Sequence, residues 1–258
     1  MPNLKPLAIP ADIIYVYDGS YHGFLCCVHK SIYSGEIPFQ ITTYNDAPTT
    51  FFDICEVHTS EDEALRVLRS IPNKISRDAL RLIGEVFLSC LPERELLMLK
   101  FLIRAYREGG KMLSMLGDPD VAPLLRAQRH LWGEAHLLKG FIRFSDYDGV
   151  LAGTITPKNF ILPFLSDHFT QRFSKEDFLI FDKTHKAALV YQNRQCEIIS
   201  MDSIEFPPVS ETELHYRTMW KQFYNTISIQ ARENPRCRMT HMPKRYWENM
   251  TEVQDLLQ

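Results

Sequence analysis

Between Glu134 and Phe144 the chain reads Glu-Ala-His-Leu-Leu-Lys-Gly-Phe-Ile-Arg-Phe, which places a histidine, a lysine and an arginine around one glycine. His136, Lys139 and Arg143 can close on a single anion if the chain turns at Gly140, and otherwise serve separate surface roles. Glu134 and His136 lie two apart, so on a helix they face different directions and make a poor metal pair. Further on, Asp167-His168-Phe169-Thr170-Gln171-Arg172-Phe173 sets His168 and Arg172 four apart, on one helix face, with the phenylalanines on the other. A neighbouring arginine disfavours protonation of histidine, so a neutral His168 suits proton transfer or phosphate contact; a plain surface pair is the alternative.

The densest cationic stretch is the segment from Asn234 to Trp247, where Arg236, Arg238, Lys244 and Arg245 have no acid between them and Tyr246 and Trp247 close the run. The whole chain, with 29 Lys+Arg against 32 Asp+Glu, carries a formal net charge of -3. A local basic, aromatic-flanked segment on a slightly acidic chain points to a dedicated contact with phosphate or an acidic surface. The competing reading is a strap that packs Tyr246 and Trp247 into the core and leaves the charges in water. A further candidate is Asp18-Gly19-Ser20 with His22, where a strand gives way to a helix whose free N–H groups can meet an anion; a capped turn explains the same residues.

Familiar catalytic fingerprints are missing. The chain has no Gly-x-x-x-x-Gly-Lys-Ser/Thr, Gly-x-Gly-x-x-Gly, Gly-x-Ser-x-Gly or His-Glu-x-x-His. These gaps argue against a P-loop NTPase, a common dinucleotide enzyme, an α/β-hydrolase and a zincin. The cysteines (Cys26, Cys27, Cys55, Cys90, Cys196, Cys237) have no metal-ligand spacing, so reduced thiols, no metal and no cofactor are expected. No apolar run approaches the roughly 18 residues of a membrane span. The first residues lack the apolar core of a signal peptide, and a cytoplasmic address is the expectation.

The elements that must position these residues predict an α+β fold in one domain of 258 residues. Residues 12–139 read as a strand, a helix and a helical part. Residues 13–17 are a β-branched and aromatic strand, followed by a helix capped by Ser20 and stopped by Gly35. Residues 36–50, with Pro38 and Pro48, read as loose, and 51–57 as a second strand. Ser60-Glu61-Asp62-Glu63 has the pattern of a capping box, helices follow over 76–91 and 93–107, and Asp118-Pro119 opens another as cap and first helical residue. In that helix Leu124, Leu131, Ala135 and Leu138 form an apolar stripe, while Arg126, Arg129, Gly133 and His136 form a cationic one. Residues 140–206 read as a sheet part, β-β-α-β-β-β and mostly antiparallel, with a first hairpin over 141–144 and 150–156. Residues 210–258 read as a final helix, capped by Ser210, and a basic tail.

Several separated blocks together resemble one known family. Tyr17-Asp18-Gly19-Ser20 with Gly23-Phe24-Leu25 resembles its amino-terminal signature, and Glu134-Ala135-His136 with residues 139–144 its central one. Asn159 with Ile161-Leu162-Pro163, His168-Phe169 and Arg172-Phe173 resembles the next block, and Asn234-Pro235-Arg236 with residues 242–247 the last. The family is bacterial, a domain of unknown function assigned to DNA metabolism and repair. Its gene usually sits beside a radical S-adenosylmethionine enzyme, and some members are fused to a uracil-DNA glycosylase-like domain. The resemblance spans roughly residues 13–250 and implies a protein acting on DNA with that radical enzyme as partner. No glycosylase domain is expected in this chain. Leu137-Leu138 stand where the family commonly has a basic residue after the histidine, which weakens a phosphate role at that spot.

The expectation drawn from residues and resemblance together is an accessory DNA-repair protein without intrinsic activity. Its anion surface would comprise His136, Lys139, Arg143, His168, Arg172, Arg236, Lys244 and Arg245, with Tyr246 and Trp247 stacking on bases or packing in the core. One alternative is an enzyme on a damaged base or nucleotide, using His136 or His168 as acid and base in a shared pocket. The other is a protein-interaction scaffold that makes no DNA contact.

Overall fold

The computed structural model describes residues 9–46, 49–227 and 234–253. It divides into two compact units, residues 1–131 and 132–258. In the first, β1 (Ile9–Tyr17), α1 (Tyr21–Ser34), β2 (Glu36–Thr43) and β3 (Asp53–Glu56) form a three-stranded parallel sheet in the order β2-β1-β3. Ile14 to Tyr17 are consecutively buried, as expected for a central parallel strand covered on both faces. Ser20 caps α1 by accepting from the Gly23 N–H at 2.9 Å, and Gly35 ends it in the left-handed region at φ 76°. A Cβ at Gly23 would stand 2.3 Å from Asp18 Oδ1 and 2.9 Å from the Tyr17 ring, so only glycine lets α1 start this close to the strand end.

Helices α2 (Glu61–Lys74), α3 (Arg77–Phe87) and α4 (Arg94–Glu108) complete this unit together with the first half of α5 (Ala122–Phe141), which crosses the division. Arg104 on α4 grips Asp118 through two 2.9 Å hydrogen bonds and Asp120 through one of 2.6 Å, closing the loop that precedes α5.

The second unit carries β4 (Phe144–Tyr147), β5 (Val150–Ile155), α6 (Leu162–Arg172), β6 (Asp177–Asp182), β7 (Ala187–Gln192) and β8 (Gln195–Ser200), with the strands paired in that order. Helix α6 is the crossover that makes β5 and β6 parallel, and the remaining pairs are antiparallel. The β4–β5 turn puts Asp148 at φ 54° and Gly149 at φ 91°, the geometry that a two-residue hairpin requires. Gly153 on β5 lies under the chain leaving α5, since a Cβ there would come within 2.9 Å of Ile142 Cγ2. Rings of Phe144, Phe169, Phe173 and Phe178 meet mostly edge to face and tie α6 to the sheet. Beyond the sheet come α7 (Glu211–Ile227), α8 (Pro235–His241) and a 3₁₀ segment, Lys244–Asn249.

The α+β class and the β-β-α-β-β-β order match the expectation, but the mostly antiparallel description holds only for the second sheet. Residues 36–43, read as loose, are β2: Pro38 breaks the hydrophobic pattern, yet a parallel strand buried by a covering helix needs no strict alternation. Phe141 belongs to α5, which runs through Gly140 instead of turning there, so the first hairpin begins at Phe144. Asp118 and Pro119 precede α5, which starts at Ala122; Asp118 turns the chain into the helix from outside it, its Oδ1 accepting from the Asp120 N–H at 2.9 Å and its carbonyl from the Ala122 N–H at 2.8 Å. Ser60 stands at the N-cap of α2 without a side-chain cap bond. The basic tail is itself helical in α8 and in the 3₁₀ segment, so α7 is not the last helix.

Candidate functional site

The apolar stripe of α5 turns Leu138 and Glu134 inward and brings Lys139 and Gly140 to the helix end, with Arg143 just past it. Helix α6 ends on Arg172 with Phe173 as its cap, and α7 adds Glu213, Tyr216, Arg217 and Trp220 one turn after another. These three helix segments surround a cavity of about 580 Å³ within the second unit, floored by Phe144 and Phe169. Lys139 and Arg172 each stand in the last turn of a helix, where the carbonyl ends favour a positive charge without a carboxylate partner.

The cavity's cations are of two kinds. Arg143 is committed to Glu252, a side chain only 1% exposed, at 2.5 Å, and also donates to the Gly140 carbonyl at 2.9 Å while lying 5.6 Å from the Trp220 ring. Burial alone would raise the Glu252 pKa, but the bonds from Arg143, with a backbone N–H and the Trp220 side chain adding to them, hold the carboxyl below its ordinary value. Arg217 pairs with Glu213 at 2.8 Å and donates to Ser145 Oγ. Lys139 and Arg172 have no carboxylate partner among the described residues; Arg172 has only the Phe173 ring, at 5.7 Å. Among the described residues, the cavity therefore holds two positive charges without a carboxylate partner. His168, beside them, has its pKa lowered by burial and then by the charges of Lys139 and Arg172.

The tail does something else. Glu134, 2% exposed, accepts from the backbone N–H groups of Lys158 and Asn159, from Asn159 Nδ2 at 2.6 Å, from Arg245 at 3.0 Å and from the Tyr246 hydroxyl at 2.7 Å. Burial raises the Glu134 pKa, but these bonds together prevail and hold it below the ordinary value. One carboxylate thus joins α5, the loop before α6 and the tail. Tyr246 and Trp247 are both buried, and the indole N–H of Trp247 donates to the Met242 carbonyl at 2.9 Å. Both rings are packed in the core.

Of the residues singled out from sequence, Lys139, Arg143 and Arg172 line one cavity, with His168 close by. His136 is exposed on α5 and does not line it, Arg236 is exposed on α8, and Lys244 lies 5.7 Å from the Trp247 ring. Arg245 is held by Glu134. The two histidines therefore share no cavity wall. Sequence reasoning missed Glu213, Tyr216, Arg217, Trp220 and Glu252. The signal for the first four was present: an acid and a base four apart, with two aromatics on the adjoining helix positions. Glu252 left no trace, since its partner is remote in sequence.

Among the described residues no group of three or more His, Cys, Asp and Glu could hold a metal ion, and no helix is long and apolar enough to cross a membrane. Residues 92–252 match the family model described as a domain of unknown function, DUF4130. The matched span contains the whole cavity and the Glu134 junction; Asp18, Ser20 and Gly23 lie before it. No curated protein matches the chain.

Proposed function

We propose, from the premise that this chain belongs to the DUF4130 family, that it is a bacterial, cytoplasmic accessory protein of DNA repair or DNA metabolism that holds a nucleic-acid backbone in the cavity of its second unit. The observation that carries this reading is the meeting of Lys139, Arg143, Arg172 and Arg217 in one cavity, with two of the four charges lacking a carboxylate partner among the described residues. Uncompensated cations in a concave, partly apolar wall attract phosphate more strongly than the same charges spread over a convex surface. Such contacts give affinity without sequence readout and release counterions, so binding weakens steeply with salt. A radical S-adenosylmethionine enzyme as working partner is supported by the resemblance of the four sequence blocks alone.

Filter binding of single- and double-stranded DNA at low and high salt tests the reading, with and without the partner. Salt-sensitive retention is expected, and its absence in both arms defeats the proposal. One observation favours the scaffold as a second reading: α7 exposes Leu214, Met219, Phe223 and Ile227, an apolar set suited to a protein contact. Co-purification with the radical enzyme that survives nuclease treatment, joined to an absence of DNA retention, would favour it.

A further inference from the structure

We infer that the cavity receives the phosphorylated end of a single nucleic-acid strand, with the terminal phosphomonoester held by Lys139 and Arg172 and the last base stacked on Tyr216 and Trp220. The inference rests on the nucleic-acid reading above and narrows it in strand form and in end chemistry.

Size comes first. About 580 Å³ falls within the range of about 300–1,000 Å³ typical of small-molecule sites, enough for a nucleotide. A duplex is read by protein elements that protrude into its grooves or run along its backbone, and a recess of this kind offers neither. A recess instead admits a group that projects, which a strand end does.

Charge comes second. Arg143 and Arg217 are neutralised in place by Glu252 and Glu213, whereas Lys139 and Arg172 have no such partner among the described residues. Two free positive charges match a phosphomonoester, which carries about −1.5 to −2 at neutral pH, better than one internal diester of single charge. Arg172 lies over Phe173 and makes no ion pair among the described residues, so its guanidinium edge can form a two-point bond to phosphate oxygens.

The aromatics come third. Tyr216 and Trp220 are one turn apart on α7, line the cavity, and stay 62% and 40% exposed, with Phe223 5.8 Å beyond Trp220. Exposed rings beside a cationic recess offer a stacking surface to a base that has lost its neighbours. Bases inside a duplex are already stacked and have no use for it.

The test is fluorescence anisotropy with labelled single-stranded DNA bearing a hydroxyl or a phosphate at the unlabelled end, in both polarities. Blunt phosphorylated duplex and a free deoxynucleoside monophosphate serve as competitors. A terminal phosphate of at least one polarity should tighten binding by about tenfold. The duplex and the mononucleotide should compete less well than the phosphorylated strand. In Arg172→Gln the ratio between phosphate and hydroxyl ends should fall well below that of the parent, and in Lys139→Gln, Arg172→Gln it should collapse to unity, while Trp220→Ala should weaken both ends alike. Arg172 and Trp220 are exposed, and a thermal melt confirms that the variants are folded. Strand binding with no preference for phosphate overturns the inference and leaves the nucleic-acid reading standing. Tighter binding of the mononucleotide than of the strand also overturns it, and no binding of any DNA removes the reading beneath it.

Discussion

The tail and the cavity rim use the same residue types for opposite ends. In the tail, Arg245 is tied to buried Glu134, and the aromatics beside it are buried. At the rim, Lys139 and Arg172 have no carboxylate partner among the described residues, and Tyr216 and Trp220 remain exposed beside them. The tail is the more conspicuous in sequence, yet Arg245, its best-placed charge, is consumed by the fold. A cation's availability depends on its acidic neighbours in space, and local density along the chain is a poor guide to it.

Substitutions can separate the two kinds of cation. The largest effect is expected at the junction: Glu134→Ala strands Tyr246, Arg245 and two backbone donors, and should destabilise the second unit by about 3 kcal/mol in urea unfolding. Arg143→Ala leaves Glu252 buried and unpaired, and a destabilisation of about 3 kcal/mol is expected there too. Arg172→Ala, by contrast, should stay within about 0.5 kcal/mol of the parent. Equal destabilisation by Arg143→Ala and Arg172→Ala would erase the distinction between committed and free cations.

Acid provides a smaller and graded effect. Because the Glu134 pKa in the folded chain lies below its ordinary value of 4.5, its stabilisation is complete above that pH and is lost as pH falls through the depressed value. Stability measured against pH should therefore fall on acidification from about pH 4.5 downward, and Glu134→Gln should flatten that part of the profile. The smallest effect is expected for Arg236→Gln, which lies outside the cavity on an exposed face and should change stability by no more than about 0.5 kcal/mol and leave any preference for a phosphate end intact.

Much of the fold was legible because local signals agreed with it. Ser20 and Gly35 bound α1 as read, and the five strands and one helix of the second sheet follow the expected order. Strand β2 was hidden because Pro38 and scattered polar residues break its pattern, while its partners and covering helix lie elsewhere in the chain. Gly140 suggested a turn, but it sits on α5 with nothing near its Cβ position, so the helix passes through it. Three of the cavity's four cations could be named from sequence because they flank helix ends. Arg217 was passed over because it stands apart from the dense basic segments, although its four-residue spacing from Glu213 was a usable signal. The Glu134–Tyr246 bond spans 112 positions, and no spacing argument reaches that far.

The most direct measurement is the salt dependence of single-stranded DNA binding for the parent and for the double variant Lys139→Gln, Arg172→Gln. If these two cations together hold the terminal phosphate of a strand, the slope of log affinity against log salt should flatten by about 0.7, the contribution of one neutralised phosphate of a single strand. Identical slopes for parent and variant would contradict a phosphate-binding cavity.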